Sequence, residues 1–265
     1  MIGVRRFGSG PPLIALHGFT LTGEQFASLD ALLDHTIVAP DLPGHGGSAD
    51  ASTELASVID IVASIIASVG HPVPVIGYSQ GARVALMTAM EQPDRISALI
   101  LVSANAGIED ASERAARAGS DAEMASRLAT MTIDQFLDTW TSIGITSTEH
   151  LSPEDRDADR AVRQQNSPHG LARAIVGYGQ GAQPSLWHRL SELPMPVLIM
   201  SGDRDDKYSH IADAMATRIP HVERVTIAGA GHNPLADQPA QAYGAISDFL
   251  DRHPRPGGPV VEASP

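Results

Sequence analysis

The feature of this chain most able to do chemistry is a serine between two glycines. Residues 77–81 read Gly-Tyr-Ser-Gln-Gly, after the apolar run 73–76 and before a helical stretch over 82–90. Gly-x-Ser-x-Gly between a strand and a helix is typical of a nucleophile elbow, because the glycines permit a sharp turn that presents the serine hydroxyl above the sheet edge. The alternative is a strand-to-helix turn without chemistry. The setting favours Ser79 as a nucleophile or a base.

Candidate partners for Ser79 follow two later strands, in the order serine, acid, histidine. Apolar run 196–200 precedes an aspartate-rich loop, and run 225–227 precedes the loop that contains His232. Loops at the carboxyl ends of parallel strands meet at one edge of the sheet. We therefore expect His232 to carry the proton and an aspartate to orient it. Asp205 is our preferred acid; Asp203, which is closer to the strand, and Asp206 are the alternatives.

An early loop completes the predicted site. The apolar strand 13–16 is followed by His-Gly-Phe-Thr. In an elbow of this type, oxyanion stabilisation comes from the N–H of the residue after the serine and an N–H of the loop that follows an early strand. The sequence therefore predicts an oxyanion hole made by the main-chain N–H groups of Phe19 and Gln80.

Three further polar residues near these loops are interpreted as structural. His17 is predicted to hold the loop rather than to act as a second catalyst. Asp41 and His45 lie in the turn that follows strand 36–39. Because His232 already accounts for the proton carrier, we interpret both as groups that organise this turn.

An arginine close to the serine points to the substrate. Arg83 lies four residues after Ser79, so both side chains can share one face of the helix. A permanent cation does not help general ester hydrolysis, but it can anchor a carboxylate through a bidentate pair. Tyr78 is predicted either to line the pocket or to pack beside the elbow. Lys207, two residues after the preferred acid, is interpreted as a surface charge.

The elements that must position these groups indicate an α/β fold. Strand and helix signals alternate from 13 to about 102, which predicts a mostly parallel sheet flanked by helices. From about 104 to 190 the signals are helical, and strand signals resume at 197. Helices are expected over 55–69, 79–90, 111–128, 132–141, 153–165 and 170–178.

This pattern divides the chain into a core and an insertion. We predict a core over 1–103 and 193–251, with a helical cap over 104–192 inserted above the edge of the sheet where the site lies. The remaining residues, 252–265, are rich in proline and glycine and are predicted to form a flexible tail.

Composition excludes several classes of partner. The chain has 18 Lys and Arg against 31 Asp and Glu, a net charge of −13, which argues against nucleic acid and anionic membranes. Cysteine is absent and the eleven histidines show no paired metal spacing, so we predict no metal site and no cofactor. We see neither a signal peptide nor a membrane span, and we expect a cytoplasmic protein without membrane insertion. Monomer and homo-oligomer both remain open.

The elbow and its arginine resemble one family. Residues 77–83, Gly-Tyr-Ser-Gln-Gly-Ala-Arg, are similar to the Gly-Tyr-Ser-Met-Gly-Gly-Arg segment of the menaquinone-pathway synthases that form 2-succinyl-6-hydroxy-2,4-cyclohexadiene-1-carboxylate. The similarity covers roughly residues 5–250. It continues at 16–20, 41–46, 107–110, 113–117, 120–121, 183–187, 202–208 and 230–232. Departures from the family pattern touch the pocket wall or the oxyanion loop; they are Leu21, Phe26, Gln80, Ala82 and Ala106.

The resemblance implies an α/β-hydrolase fold and a set of binding residues. It favours Asp205 as the acid, and it places Arg117 and Arg163 of the helical insertion over the pocket beside Arg83. It also implies that Trp140 is a pocket residue. The alternatives are a solvated helix face for the two arginines of the insertion and core packing for Trp140. The implied substrate is a small polycarboxylate.

The resemblance also implies an elimination. Ser79, deprotonated through His232, would remove the proton next to the succinyl ketone of an enolpyruvyl cyclohexene carboxylate, and pyruvate would leave. Two other functions stay open. One is a carboxylesterase or lactonase that works through an acyl-enzyme, and the other is a binding protein of the same fold without catalysis. Convergence of the three arginines on one pocket would favour the elimination over the esterase.

Overall fold

A seven-stranded sheet forms the centre of the fold. The structure is a computed structural model that describes residues 1–31, 33–142 and 144–254. The strands are β1 (Val4–Phe7), β2 (Pro12–Leu16), β3 (Thr36–Pro40), β4 (Val73–Tyr78), β5 (Ile96–Val102), β6 (Val197–Gly202) and β7 (Val222–Ile227). Their order across the sheet is β1-β3-β2-β4-β5-β6-β7. All neighbours are parallel except β1 and β3, so the carboxyl ends of β2 to β7 share one edge.

Helices connect the strands and cover both faces of the sheet. They are α1 (Leu55–Ala67), α2 (Gln80–Glu91), α3 (Ala111–Leu128), α4 (Ile133–Trp140), α5 (Pro153–Arg163), α6 (Pro168–Tyr178), α7 (Asp206–Ala216), α8 (Pro234–Asp237) and α9 (Pro239–Arg252). Helix α2, which follows the elbow, is buried at every position from Gln80 to Met90. A helix that is apolar on nearly all sides belongs in the interior of a domain. Because α2 is packed in this way, it holds Ser79, the residue that precedes it, in a fixed position.

The core follows from the alternation of side chains along the strands. Ile14 and Leu16 of β2 point to one face of the sheet, and Leu13 and Ala15 point to the other. Strand β4 is buried along its whole length, as expected of a central parallel strand covered on both faces.

The segment between β5 and β6 contains α3 to α6 and, in its described part, no strand. It has a small apolar cluster of its own, formed by Leu128, Phe136, Leu137 and Leu171. Tyr178, at the end of α6, is instead fully buried in the cluster that covers the sheet. The insertion is therefore joined to the sheet by packing as well as by its two ends. From residue 255 on, the predicted flexible tail lies outside the described residues.

The predicted mostly parallel α/β fold is confirmed, and the limits of all six predicted helices lie within two residues of the observed ones. Strand β1 was not predicted, because Val-Arg-Arg-Phe has no clear apolar alternation and its pairing is long-range. Across the described ranges, no helix is both long and apolar enough to cross a membrane. Within the same ranges, no three His, Asp or Glu side chains are grouped so that they could hold a metal ion.

Candidate active site

Ser79 lies at a strained turn between β4 and α2. Its φ is +50°, a left-handed value that costs a non-glycine residue about 1–3 kcal/mol. The flanking glycines explain how the turn fits. A Cβ at Gly81 would lie 2.0 Å from the carbonyl oxygen of Leu16, and a Cβ at Gly77 would lie 2.5 Å from the main chain of Ala82. The close approach of β2, β4 and α2 therefore requires glycine at both positions.

Ser79, His232 and Asp205 form one hydrogen-bonded row. The Ser79 Oγ is 3.0 Å from Nε2 of His232, and Nδ1 of His232 is 2.6 Å from Oδ2 of Asp205. Since the carboxylate accepts from Nδ1–H, Nε2 is free to accept the serine proton. The histidine and the aspartate are buried, at 7 % and 4 % exposure, which shields the row from water.

The structure distinguishes the three aspartates that the sequence leaves open. Asp205 contacts His232, and its second oxygen accepts the N–H of Tyr208 at the start of α7. Asp203 is exposed and accepts the N–H of Gly229 across 2.8 Å. Asp206 is the first residue of α7 and is also exposed. Asp205 is thus the aspartate among these that can orient the imidazole.

Two residues that sequence reasoning missed hold the histidine loop. Ser103, after β5, donates its hydroxyl to the carbonyl oxygen of His232 across 2.7 Å. Asp237 accepts the N–H of Gly231 across 2.7 Å and also contacts His150 of the insertion. No short-range pattern marks either contact, because each joins segments that are distant in sequence or separated by an irregular loop.

The N–H groups of Phe19 and Gln80 are available for an oxyanion. Gln80 is the first residue of α2, where a helix leaves its N–H groups without internal partners. Among the described residues, neither N–H has a hydrogen-bond acceptor. The Phe19 loop is closed by a turn in which the N–H of Leu21 donates to the carbonyl oxygen of Gly18 across 3.1 Å.

Buried polar residues hold the loops beside this pair of N–H groups. Nε2 of His17 accepts the N–H of Leu42 across 2.8 Å, and Nδ1 donates to the carbonyl oxygen of Gly18. Burial lowers the pKa of His17 to about 4, so the ring is neutral at pH 7 and can accept. Asp41 accepts the main-chain N–H groups of Gly23, after β2, and Gly47, after β3. Burial also lowers the pKa of His45 well below its usual value.

A cavity of about 170 Å³ opens above the serine. Its lining includes nine of the residues that the sequence and the resemblance predicted: Phe19, Tyr78, Ser79, Gln80, Arg83, Arg117, Trp140, Arg163 and His232. Lys207 also lines it, although its side chain is exposed; the surface-charge interpretation was therefore incomplete. A second cavity of about 350 Å³ is lined by Asp205, His232 and Asp237, among other residues.

Arg83 is a buried cation without a neutralising partner. It is 6 % exposed, and its Nη1 donates to the carbonyl oxygen of Tyr178 across 3.3 Å and to Oε1 of Gln183 across 3.4 Å. No carboxylate of the described chain lies within ion-pair distance of it. Burial lowers the pKa of Arg83 to about 10, and the nearby charge of Arg117 adds to the lowering. Because this pKa is still above 7, the guanidinium stays charged at pH 7.

Arg117 and Arg163 face the same cavity but already have carboxylate partners. Arg117 pairs with Asp121 across 2.7 Å, and Arg163 pairs with Asp159 across 2.6 and 3.0 Å. Both pairs have i,i+4 spacing on a helix, a signal that was available in the sequence. The three arginines converge, as the elimination requires, but Arg83 differs from the other two in being unpaired.

Aromatic side chains form one wall of the cavity. The Trp140 ring lies 5.4 Å from that of Phe19 and 5.5 Å from that of Phe136, between ring centroids. Its buried indole N–H has no acceptor within the described part of the chain. Tyr78 packs 5.7 Å from His232, and burial raises the pKa of its phenol, so it is uncharged at pH 7. Tyr78 and Trp140 therefore both pack and line the cavity.

A chain of contacts that the sequence did not reveal joins Arg117 to His232. Arg117 donates to Oε1 of Gln180 across 2.8 Å, and Nε2 of Gln180 donates to the Tyr208 hydroxyl across 2.8 Å. The Tyr208 ring packs 4.4 Å from that of His232. The insertion therefore contacts the catalytic edge of the sheet through polar side chains, and the arrangement suits a small anionic substrate held against a serine base or nucleophile.

Comparison with known proteins shows which family this chain matches. The model of the alpha/beta hydrolase family matches residues 13–245. A protein of Bacillus subtilis (strain 168), provisionally named 2-succinyl-6-hydroxy-2,4-cyclohexadiene-1-carboxylate synthase, is 32% identical over 90% of this chain and 89% of its own length. The protein of that name in Enterobacter sp. (strain 638) is 30% identical over 91% of this chain and 92% of its own.

Solved structures agree. The structure of MenH from S. aureus has a TM-score of 0.89 and 28% identity, and the match covers 94% of this chain and 98% of that one. A thermophilic esterase from Thermogutta terrifontis has a TM-score of 0.75 at 24% identity, with coverage of 96% and 94%. The latter likeness concerns the fold alone.

Proposed function

This chain belongs to the α/β-hydrolase family and, within it, to the family of 2-succinyl-6-hydroxy-2,4-cyclohexadiene-1-carboxylate synthases, and we propose that it catalyses the reaction of that family in menaquinone biosynthesis. The substrate is 2-succinyl-5-enolpyruvyl-6-hydroxy-3-cyclohexene-1-carboxylate, and the enzyme eliminates pyruvate from it. The chain is thus a carbon–oxygen lyase on a hydrolase fold. Fold alone does not decide this, so the proposal depends on the site.

Ser79 is the base in this proposal. Its hydroxyl gives its proton to Nε2 of His232, and the serine oxygen removes the proton next to the succinyl ketone. The ring double bond shifts as the carbon–oxygen bond to the enolpyruvyl group breaks. Asp205 stabilises the imidazolium, which returns a proton to the leaving group as it becomes pyruvate. The 3.0 and 2.6 Å contacts of the row support these transfers.

The N–H groups of Phe19 and Gln80 stabilise the enolate oxygen that forms on the ketone. Preorganised donors aimed at a developing negative charge lower the barrier, since they need no reorganisation during the reaction. Their lack of acceptors in the described chain supports this role. The elimination needs no covalent acyl-enzyme.

The observation that carries the proposal is the unpaired guanidinium of Arg83. A buried charge without a partner is unfavourable, and a substrate carboxylate would compensate it. A neutral ester would leave the charge uncompensated. Arg117 and Arg163, whose charges are paired with Asp121 and Asp159, use their remaining N–H groups to bind the other carboxylates of the substrate. Tyr78 and Trp140 enclose the cyclohexene ring of the substrate.

We also propose that residues 104–192 act as a cap that selects the substrate. The insertion provides Arg117, Trp140 and Arg163 to the cavity, whereas the core provides Ser79 and Arg83. Because the cavity is lined by both the insertion and the core, changes in the insertion can alter substrate specificity while Ser79, His232 and Asp205 of the core stay in place.

A carboxylesterase or lactonase remains the second candidate function. The contact between Ser79 and His232 suits nucleophilic attack on an ester as well as proton abstraction, and the same two N–H groups would stabilise a tetrahedral intermediate. In that case the serine oxygen would attack the ester carbonyl and form an acyl-enzyme. The charge of the cavity favours the elimination.

Pyruvate release tests the proposal directly. The purified protein is mixed with the enolpyruvyl intermediate, and pyruvate is followed beside the hydrolysis of a short-chain neutral ester. Ser79→Ala serves as the control for both assays. We expect rapid pyruvate release and slow ester hydrolysis; efficient ester hydrolysis without pyruvate release would support the second candidate instead.

A further inference from the structure

The two proposed oxyanion donors are held in different ways. The N–H of Gln80 is fixed by the first turn of α2. Phe19 lies in a loop, at the second position of the turn from Gly18 to Leu21. The loop therefore needs contacts from outside to keep its N–H aimed at the site.

The third residue of that turn is strained. Thr20 has a φ of +69°, a value that a type II turn requires at this position and that glycine or asparagine usually supplies. A β-branched residue is unfavourable there. Without restraint, Thr20 would relax to a negative φ, and the neighbouring peptide that carries the Phe19 N–H would move with it.

Asn166 supplies that restraint from the insertion. Its Nδ2 donates to the carbonyl oxygen of Thr20 across 2.7 Å and to that of Arg163 across 3.0 Å, and its Oδ1 accepts the N–H of Gly46 across 3.0 Å. The side chain is 5 % exposed. Asn166 thus joins the end of α5, the loop after β2 and the loop after β3 at one point.

Asn166 differs from its neighbour Arg163 in where it acts. Arg163 also donates to Thr20, through the threonine hydroxyl, but its guanidinium lines the cavity and could contact substrate directly. Asn166 is not part of the cavity lining. Asn166 can therefore affect the reaction only through the groups that it holds, and of these the carbonyl oxygen of Thr20 belongs to the loop that carries the Phe19 N–H.

We propose that Asn166 is a positioning residue for the oxyanion hole: it holds Thr20 in its strained conformation and so fixes the Phe19 N–H. The inference rests on the proposed function only in assigning that N–H to an enolate, since the same donor would serve any reaction of Ser79. The insertion accordingly contributes to the chemical step as well as to substrate binding.

A fluorophosphonate tests the inference without the native substrate. Ser79 attacks phosphorus, the phosphorus–fluorine bond breaks, fluoride leaves and His232 takes the serine proton. The rate of the mass increase on intact protein then reports how well the oxyanion hole is formed. Asn166→Ala removes every side-chain contact. Asn166→Asp keeps the size and the acceptor for Gly46 but replaces the donor to Thr20 with a carboxylate oxygen.

We expect labelling to slow by about tenfold or more in both Asn166 variants, because a small misplacement of a catalytic group has a large effect on rate. The kcat of pyruvate release should fall in parallel, while KM changes by less than about threefold. Gln165→Ala is the matched control. It removes contacts to Arg5 and Thr22 from the same segment and should label at the wild-type rate.

Wild-type labelling rates in folded Asn166 variants, with only a lower Tm, would overturn the inference and leave Asn166 a structural residue. An equal slowing in Gln165→Ala would also overturn it, since the effect would then belong to the whole segment. If the wild-type protein labels but releases no pyruvate, the proposed function fails and the labelling comparison still decides the role of Asn166.

Discussion

The main-chain N–H of Arg83 donates a hydrogen bond to the carbonyl oxygen of Ser79 across 3.1 Å, so the two residues lie one turn apart at the start of α2. Their side chains line the same cavity, which brings a reactive hydroxyl and an unpaired buried cation to one substrate. The buried helix fixes this spacing. The geometry has consequences for both activity and stability.

The row of Ser79 and His232 should behave as a unit. We predict that Ser79→Ala and His232→Ala each lower kcat by about a thousandfold or more, and that the double variant loses little further activity. The physical reason is that neither group transfers the proton without the other. The measurement is the rate of pyruvate release at saturating substrate. Losses that multiply in the double variant would show that the two groups act independently.

Asp205 should be the aspartate that matters for the histidine. Asp205→Asn is expected to lower kcat on the order of 10³- to 10⁴-fold, because an amide favours the wrong imidazole tautomer. Asp203→Asn and Asp206→Asn should change kcat by less than about threefold, since substitutions at exposed positions have small effects. Each of the three variants replaces one carboxylate oxygen with an amide nitrogen, so the variants serve as controls for one another. A large loss in Asp203→Asn would move the acid to that position.

Arg83 should lower the stability of the free protein. Its pKa is lowered from 12.5 to about 10 by burial, so the folded state disfavours the charged form. We predict that Arg83→Met raises the free energy of unfolding at pH 7 by about 1–3 kcal/mol, since each pKa unit corresponds to about 1.4 kcal/mol. Urea unfolding measures this. Arg117→Met, which breaks an ion pair with Asp121, is the control and should not stabilise; a loss of stability in Arg83→Met would contradict the unpaired cation.

His17 should contribute a pH dependence to stability. Its pKa falls from 6.5 in the unfolded chain to about 4 in the folded protein. Between these values the unfolded chain binds the proton and the folded protein does not, so stability falls as pH is lowered from 6.5 towards 4. The expected contribution is up to about 3 kcal/mol.

In His17→Gln the fall in unfolding free energy over this pH range should be shallower, because glutamine can accept the N–H of Leu42 without titrating. His45 keeps a residual dependence of the same sign, since burial also lowers its pKa. Urea unfolding at several pH values from 7 to about 4.5 gives the free energy of unfolding at each pH, and hence its slope against pH. Equal slopes in the two proteins would mean that His17 does not titrate in this range.

Much of the site could be predicted because its parts are local. The serine elbow, the loop that contains Asp205 and the loop that contains His232 each follow an apolar strand directly, and parallel strands bring their carboxyl ends to one edge. Helix α3 was predicted with its observed limits, Ala111–Leu128, because its sequence is long and strongly helical.

The unpredicted part depends on contacts between distant segments. Tyr178 and Gln183 hold Arg83 from 95 and 100 positions away, and nothing near Arg83 in the sequence indicates that it lacks a carboxylate partner. Asn166 and Ser103 have polar side chains like many surface residues, and only the packed structure shows which carbonyl groups they hold. Pairing that is set by tertiary packing leaves no periodic signal.

The most direct test of the central claim, that Arg83 anchors a substrate carboxylate, compares two substrates in one variant. Truncation of one partner of a buried charge pair costs about 2–5 kcal/mol, and about 1.4 kcal/mol corresponds to tenfold. We predict that Arg83→Ala lowers kcat/KM for pyruvate release by at least about a hundredfold and that Arg83→Lys recovers part of it. Hydrolysis of a neutral ester by the same variants should change by less than about tenfold, since that substrate has no carboxylate. Equal losses on both substrates in folded protein would contradict the account, because Arg83 would then be a structural support of α2.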